Sequence, residues 1–263
     1  MPRALRRDHR RARPAEAVQH GVARLGEESG WARYGSTTAQ GDILLAAQAA
    51  EGPWFLALDH PGVIAELGLA PAEMPGPGRA RFVFVRLGDL YAALPRVYAL
   101  AASLPDRPLQ AFQDQVRDLP RTTEAERVVV QRIGQDIFRD GLMAYWGNRC
   151  PLTGITEPAL LRASHIKPWA RCDTDAERLD VHNGLLLSAL WDAAFDRGLV
   201  TFDDDGSPSF ASGLSTQAQT ALYWTVPLSL TAQHRVQLAW HRRHAFGRMA
   251  GDEEPQIPGA GST

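Results

Sequence analysis

The chain has 263 residues, a formal net charge of −2 and 44% apolar residues, which is typical of a globular protein with one or two domains. Its longest apolar runs, such as residues 184–187 and 54–58, are far too short to span a bilayer. The arginine-rich N-terminus lacks a hydrophobic block, which argues against a secretory signal. We therefore expect a cytoplasmic protein without a membrane partner.

The cysteines and basic residues narrow the choice of partners. Cys150 and Cys172 are the only cysteines, too few for a disulfide framework or a four-thiolate zinc site. Lys167 is the only lysine among 28 basic residues, and arginines cluster near the N-terminus and within residues 241–244. Arginine suits phosphate groups geometrically. The arginine preference therefore has two interpretations, which are contact with phosphate groups and a genomic bias in base composition. Both stay open.

The first half of the chain is predicted to be an arm followed by a small α+β domain. Residues 1–30 are rich in Arg, Ala and Glu without apolar periodicity, which predicts a basic flexible arm or a loose helix. Residues 31–118 form the predicted domain, for which target recognition, dimerisation and covering the C-terminal half of the chain are the open interpretations. Its elements are a strand pair or a strand and helix at 42–50 and 54–58, a clear strand at 81–86, and helical spacing over 87–104 that Pro95 breaks or kinks.

A second domain is predicted over residues 119–248, after a linker bracketed by residues 104–108 and 118–120. Thr123 with Glu126 fits a capping box, which predicts a helix that runs to about Trp146. Later elements are a turn between two short strands at residues 202–208, a short helix or strand at 238–246, and a disordered tail at 249–263.

The chemistry-bearing residues of this domain follow one another on two predicted strands and a helix. One strand ends at His165, and Asn183 with Gly184 opens a second apolar strand 18 positions later. The next segment repeats apolar residues at helical spacing and carries Asp192 and Asp196. A strand–strand–helix unit that presents a histidine, an amide and carboxylates suits metal-assisted cleavage of phosphodiester bonds.

Each of these residues has a functional and a structural interpretation. An imidazole accepts a proton at cellular pH, so His165 fits a general base, although a structural histidine that ends a strand is the alternative. Asn183 is predicted to fix the loop and orient that histidine, yet Asn-Gly is also a common turn signal. His182 lies one residue off the pattern and is predicted to be a loop residue that contacts phosphate.

Asp192 and Asp196 are four positions apart, so a helix presents both carboxylates on one face. Two acids in that position repel each other unless a cation lies between them. A solvated acidic face is the alternative. Carboxylate oxygens favour Mg²⁺ or Mn²⁺, with Zn²⁺ as the alternative. The predicted metal set is Asp192, Asp196 and His165.

Residues 122–246 resemble the HNH endonuclease domain of the HNH_2 type, found in bacterial proteins described as restriction enzymes. The matching segments, in order and at the family's spacings, are residues 132–139, 150–154, 161–169, 183–187 and 195–199. The resemblance implies an α+β chain whose C-terminal half is a ββα-metal nuclease domain preceded by a long helix. It also implies His165 as base, Asn183 as orienting residue, Asp192 where the last histidine usually stands, and Asp196 as a second ligand.

The chain departs from the family pattern in the ligands that it offers. Ser164 occupies the position before the base where a metal-binding Asp or His is common. Many HNH domains hold a structural zinc with two Cys-x-x-Cys pairs. Here Thr153 stands in place of the second cysteine of the first pair, which begins at Cys150, and Ser188 and Trp191 stand in place of the second pair. We therefore expect no structural zinc, and apolar packing must replace it.

The leading hypothesis is a metal-dependent HNH endonuclease that hydrolyses DNA in restriction or phage defence. The residues predicted to contact DNA are Lys167, His182, Arg197 and Arg162. A nuclease with one active site per chain usually cuts both strands as a dimer, so the question of a homodimer stays open. The alternatives are a catalytically silent DNA-binding or assembly protein that retains the HNH fold, and a nuclease that acts on RNA or single strands.

Overall fold

A computed structural model describes residues 3–4, 22–120 and 122–247. Contacts between Cα atoms divide the chain into two compact units. Unit 1 comprises residues 1–148 and 173–181, and unit 2 comprises residues 149–172 and 182–263. Most of the predicted basic arm and the whole predicted tail lie outside the described residues. Both units mix helices and strands, in agreement with the α+β class.

Unit 1 is built on an antiparallel sheet whose strands pair in the order β2-β3-β4-β5-β6, with β1 on the end of β4. The strands are β1 (Arg3–Ala4), β2 (Val22–Glu28), β3 (Trp31–Ser36), β4 (Ile43–Ala47), β5 (Trp54–Leu58) and β6 (Ala80–Phe84). The prediction of a flexible arm is wrong for β2, which pairs with β3 along its length. This edge strand is exposed almost throughout, so it carries no apolar alternation for the sequence to reveal.

The central strands of this sheet confirm the strand-pair alternative of the sequence. β4 and β5 pair antiparallel from Ile43 opposite Leu58 to Ala47 opposite Trp54. Every residue of β5 is buried, as expected of a strand that is covered on both faces. Trp31 and Phe55 pack in the same core cluster, with ring centroids 5.9 Å apart. The strand predicted at residues 81–86 is β6.

Five helices accompany the sheet among the described residues of unit 1. They are α1 (Pro61–Glu66), α2 (Leu87–Ser103), α3 (Asp106–Val116), α4 (Glu124–Tyr145) and α5 (Asp175–Leu179). α2 continues through Pro95, so of the predicted break or kink the break is absent. The predicted linker is also wrong, because Pro108, Phe112 and Val116 repeat at helical spacing and are all buried in α3.

The long helix α4 begins and ends where the sequence predicts. The Thr123 side chain accepts from the Glu126 backbone N–H, and the Glu126 carboxylate accepts from the Thr123 backbone N–H. Gly147 and Asn148 terminate it with φ angles of 65° and 56°. α4 packs against α2 and α3, so its contacts assign it to unit 1. This division differs from the predicted limit between residues 118 and 119.

Unit 2 contains the two strands and the helix that carry the predicted site. β7 (Leu161–His165) pairs antiparallel with β8 (Gly184–Ser188), and α6 (Ala189–Asp196) follows β8 directly. The remaining described elements are β9 (Val200–Phe202), β10 (Pro208–Phe210), α7 (Thr216–Ala221) and α8 (Ala232–His244). The turn between β9 and β10 confirms the prediction for residues 202–208, and the closing element predicted at 238–246 is a helix.

Apolar packing surrounds the segment where many HNH domains bind a structural zinc. Cys150 and Leu152 are fully buried. Trp191 stacks on Phe202 with centroids 6.0 Å apart, and its indole N–H donates to the backbone carbonyl of Tyr223 at 3.1 Å. In the described part of the chain, we find no helix with the length and hydropathy needed to cross a membrane.

Candidate active site

His165 is the last residue of β7, where the hairpin opens into the loop that follows. It lies opposite Gly184 in the register of the two strands, so the residue across from it on β8 is one that carries no side chain. Its ring is half-buried and meets Trp169 edge to face, with centroids 5.7 Å apart and planes at 88°. The structure therefore presents this histidine at the edge of the hairpin, with an aromatic neighbour from its own loop.

Asn183 ties the loop after His165 to the start of β8. The side chain is fully buried. Its Oδ1 accepts from the Lys167 backbone N–H at 2.8 Å, and its Nδ2 donates to the Lys167 carbonyl at 3.1 Å. The backbone N–H of Ile166 also donates to the carbonyl of Asn183 at 3.0 Å. Because these bonds hold the two residues that follow His165, Asn183 restrains the backbone that carries the imidazole.

Cys172 completes the same network, a contact that the sequence did not indicate. Its side chain is buried, and its Sγ accepts from the Asn183 Nδ2 at 3.3 Å. The thiol lies 3.4 Å from the Lys167 carbonyl and 3.5 Å from that of Pro168, within reach for a weak hydrogen bond. Cysteine counting cannot detect such a role, because it considers only disulfides and metal ligands.

We expect Asn183→Ala to lower the stability of the protein by about 1–3 kcal/mol, since it leaves backbone polar groups of Lys167 without their partner. Thermal denaturation measures the change. Asn183→Asp is the matched variant, because it keeps the acceptor for the Lys167 N–H but replaces the donor by a second oxygen. If Asn183→Asp were as stable as wild type, that result would contradict the importance of the Nδ2 contacts.

Ser164 contacts one of the predicted ligands. This residue is 2% exposed, and its hydroxyl donates to Asp192 Oδ1 at 2.6 Å. The bond joins β7 to the first turn of α6, across the strand–strand–helix unit. In the sequence, Ser164 is notable only because it stands where a metal-binding Asp or His is common. In the structure it holds the carboxylate that α6 supplies.

Asp196 lies one helical turn beyond Asp192 on α6, as predicted. The residue as a whole is exposed, but its carboxyl group is partly shielded from water. This burial, together with the negative charge of Asp192, raises the pKa of Asp196 to about 6, against a smaller opposing effect of Arg197. Two carboxyl groups that repel each other in this way form an environment that favours a cation.

The predicted set of three metal ligands is not assembled by the described residues. Within residues 22–120 and 122–247, no group of three or more His, Cys, Asp or Glu side chains could hold a metal ion. The donors that α6 offers are two hard carboxylates. Mg²⁺ is commonly held by one or two carboxylates together with water and substrate phosphates, so this donor set fits Mg²⁺ or Mn²⁺ better than Zn²⁺.

A cavity of about 320 Å³ opens beside His165 and Asp196. Its further walls are Ile166, Pro168, Trp169, Phe195, His241 and Ala245. His241 of α8 is buried, stacks on Phe195 at 4.0 Å and bonds to Thr201 and to the Phe195 carbonyl. Burial lowers the pKa of His241 to about 4, so this wall is neutral at cellular pH. Only tertiary packing brings His241 to this cavity, because it lies 46 positions from Phe195 in the sequence.

The lowered pKa of His241 makes stability depend on pH. In the unfolded state the imidazole of His241 has its ordinary pKa of 6.5, whereas in the folded state its pKa is about 4. The contribution is therefore complete above pH 6.5 and is lost as the pH falls towards 4, by up to about 3 kcal/mol. We expect urea denaturation to show a smaller loss for His241→Gln between pH 7 and 4. An equal loss in both proteins would contradict this.

The four residues predicted to contact DNA differ in accessibility. Arg197 is exposed at the end of α6, next to Asp196. Lys167 is half-buried in the loop after His165. Arg162 is exposed, with one guanidinium nitrogen held by the carbonyls of Ala159 and Leu161. His182 is only 4% exposed and packs on His234 at 5.1 Å, so the structure does not present it to phosphate as predicted.

The geometry defines a strand–strand–helix unit, with a histidine at the end of the first strand and carboxylates on the helix. The sequence comparison agrees: residues 150–203, about a fifth of the chain, match the HNH_2 family model, described as HNH endonuclease. The C-terminal part is therefore an HNH-type domain. Such a domain implies nuclease activity with DNA as its substrate. A search of curated proteins found no match to the chain.

Proposed function

We propose that this protein is a metal-dependent endonuclease that hydrolyses DNA phosphodiester bonds at the site on β7, β8 and α6. The observation that carries the proposal is the grouping of one imidazole and two carboxylates on a single strand–strand–helix unit. His165 and Asp196 line the same cavity, and Asp192 is held by the residue that precedes His165. These are the groups that hydrolysis of a phosphodiester requires.

Each residue then has a distinct task. The imidazole of His165 accepts the proton of the attacking water, and Asn183 holds the loop that orients the ring. Asp192 and Asp196 would hold Mg²⁺ or Mn²⁺ on α6. When bound, the cation supplies positive charge for the phosphoryl oxygens and the departing 3′ oxygen. His165 belongs to the base role rather than to the ligand set.

Cationic side chains beside the site fit a role in positioning the DNA backbone. Arg197 follows Asp196 directly, and Lys167 lies two residues after His165. Such contacts neutralise phosphate charge and make binding sensitive to salt. We propose these two as DNA contacts, together with the exposed Arg162, whose guanidinium keeps donors beyond those bonded to the backbone.

A role in restriction or phage defence is proposed from the family resemblance. Unit 1 would then take part in selecting the target. It is a compact unit of its own and contains a cavity of about 1260 Å³ between its sheet and helices, lined among others by Tyr34, Tyr91, Tyr98, His60 and Gln40. A mostly apolar cavity with aromatic and hydrogen-bonding groups in its wall is suited to binding an organic group.

A plasmid-nicking assay with the full chain tests the proposed activity. Supercoiled DNA is incubated with Mg²⁺, Mn²⁺ or Zn²⁺, and with EDTA as the metal-free control. We expect conversion to nicked or linear DNA with Mg²⁺ or Mn²⁺ and none with EDTA. Single-stranded DNA and RNA as competitors identify the preferred substrate. A protein that binds the plasmid but leaves it intact with every metal would support the catalytically silent alternative and contradict our proposal.

A further inference from the structure

The hydroxyl group of Ser164 is placed to control the geometry of the Asp192 carboxylate. Ser164 is 2% exposed, whereas Asp192 is half-buried, so the bond between them is shielded on the serine side and open on the carboxylate side. The distance of 2.6 Å between the hydroxyl oxygen and Asp192 Oδ1 is that of a direct hydrogen bond. One carboxylate oxygen is thereby occupied by the protein, and the other stays available.

The two residues are anchored on different elements that pack directly. Ser164 lies on β7, whose register with β8 is continuous from Leu161 to His165. Asp192 lies in the first turn of α6, and α6 packs against both strands. A serine side chain is short and has few rotamers, so a donor attached to a paired strand is held in place. The bond therefore sets the torsion of the Asp192 carboxyl group relative to β7.

We propose that Ser164 is a positioning residue, which orients Asp192 for divalent cation binding next to His165. This inference rests on the proposed function, because it assumes that Asp192 is a ligand. Groups that hydrogen-bond a ligand fix its orientation, and their removal commonly weakens metal affinity or activity about 10- to 100-fold. Ser164, which stands where a metal-binding Asp or His is common, thus contributes to the site through Asp192.

The test compares Ser164→Ala with wild type in Mn²⁺ binding, followed by the electron paramagnetic resonance signal of free Mn²⁺. We expect the dissociation constant to rise about 10- to 100-fold. The increase in melting temperature at a fixed Mn²⁺ concentration should shrink accordingly. Nicking should need a correspondingly higher Mn²⁺ concentration and should recover at saturation. Ser164→Thr, which keeps the hydroxyl, should stay close to wild type in affinity.

Ser188→Ala is the matched control. Ser188 is 5% exposed and precedes α6, but its side chain makes no capping hydrogen bond to that helix. Its removal should leave Mn²⁺ affinity unchanged. If wild type binds Mn²⁺ and nicks DNA while Ser164→Ala shows the same affinity, or if its activity does not recover at saturating Mn²⁺, the inference fails and the proposed function stands. If wild type neither binds Mn²⁺ nor nicks DNA, the proposed function fails as well.

Discussion

His165→Ala is expected to reduce metal-dependent DNA nicking about 10²- to 10⁴-fold, the range that a positioned general base contributes. The imidazole ends β7 beside the cavity and is the histidine of the strand–strand–helix unit that the family resemblance assigns to catalysis. Its ring is half-buried and packs edge to face on Trp169, so the variant should fold with at most a modest change in melting temperature. The measurement is the rate of plasmid nicking at saturating Mg²⁺ or Mn²⁺.

His244→Ala provides the control for the loss of a histidine. His244 lies in the last turn of α8, bonds to the Trp240 carbonyl and stacks on the Trp240 ring. It should keep the wild-type rate. Added imidazole should restore part of the activity of His165→Ala, because the neighbouring cavity of about 320 Å³ can admit it. Metal-dependent nicking that survives the His165 substitution at the wild-type rate would eliminate this residue as the base.

Asp192→Asn is expected to abolish metal-dependent cleavage while the fold is kept. An asparagine Oδ1 can still accept from Ser164, so the bond between β7 and α6 persists without the negative charge. The charge of Asp192 contributes to the raised pKa of Asp196, and the substitution should therefore move that pKa back towards its ordinary value. Nicking, Mn²⁺ binding and an NMR titration of the Asp196 carboxyl carbon measure the three effects.

The comparison with Asp192→Ala separates charge from hydrogen bonding. Alanine removes the acceptor too, which leaves the buried Ser164 hydroxyl without it and should cost about 1–3 kcal/mol of stability. The metal-free Asn variant should be at least as stable as wild type. Asp118→Asn, an exposed position in unit 1, is the control for a lost carboxylate. An unchanged nicking rate in Asp192→Asn would remove this residue from the site.

The site illustrates how the same segment can be predicted well in outline and poorly in detail. His165 at a strand end, Asn183 before β8, and the two aspartates on α6 all lie where their spacing predicts. Spacing works here because the hairpin and the helix are continuous in sequence, and local periodicity places their side chains. The hydrogen bond from Ser164 to Asp192 joins residues 28 positions apart, and no periodic pattern encodes it.

In unit 1, the sequence failed to predict two elements, β2 and α3. β2 is predicted as part of a flexible arm because an exposed edge strand needs no apolar face, and only its pairing with β3 makes it a strand. α3 is mistaken for a linker because Pro105, Pro108 and Pro120 lie in or beside it, although Phe112 and Val116 bury one face. In both cases backbone pairing or packing overrides weak local signals.

By itself, the sequence determined the strand–strand–helix order, the limits of α4 with its capping box, and the identity of His165, Asn183, Asp192 and Asp196 as candidates. Each of these features depends on residues that are close to one another in the sequence. Only the tertiary structure decided that Cys172 holds Asn183, that a neutral His241 walls the cavity and that Ser164 binds Asp192. Burial and hydrogen-bond partners arise when distant segments pack, which is why residue type and spacing cannot predict them.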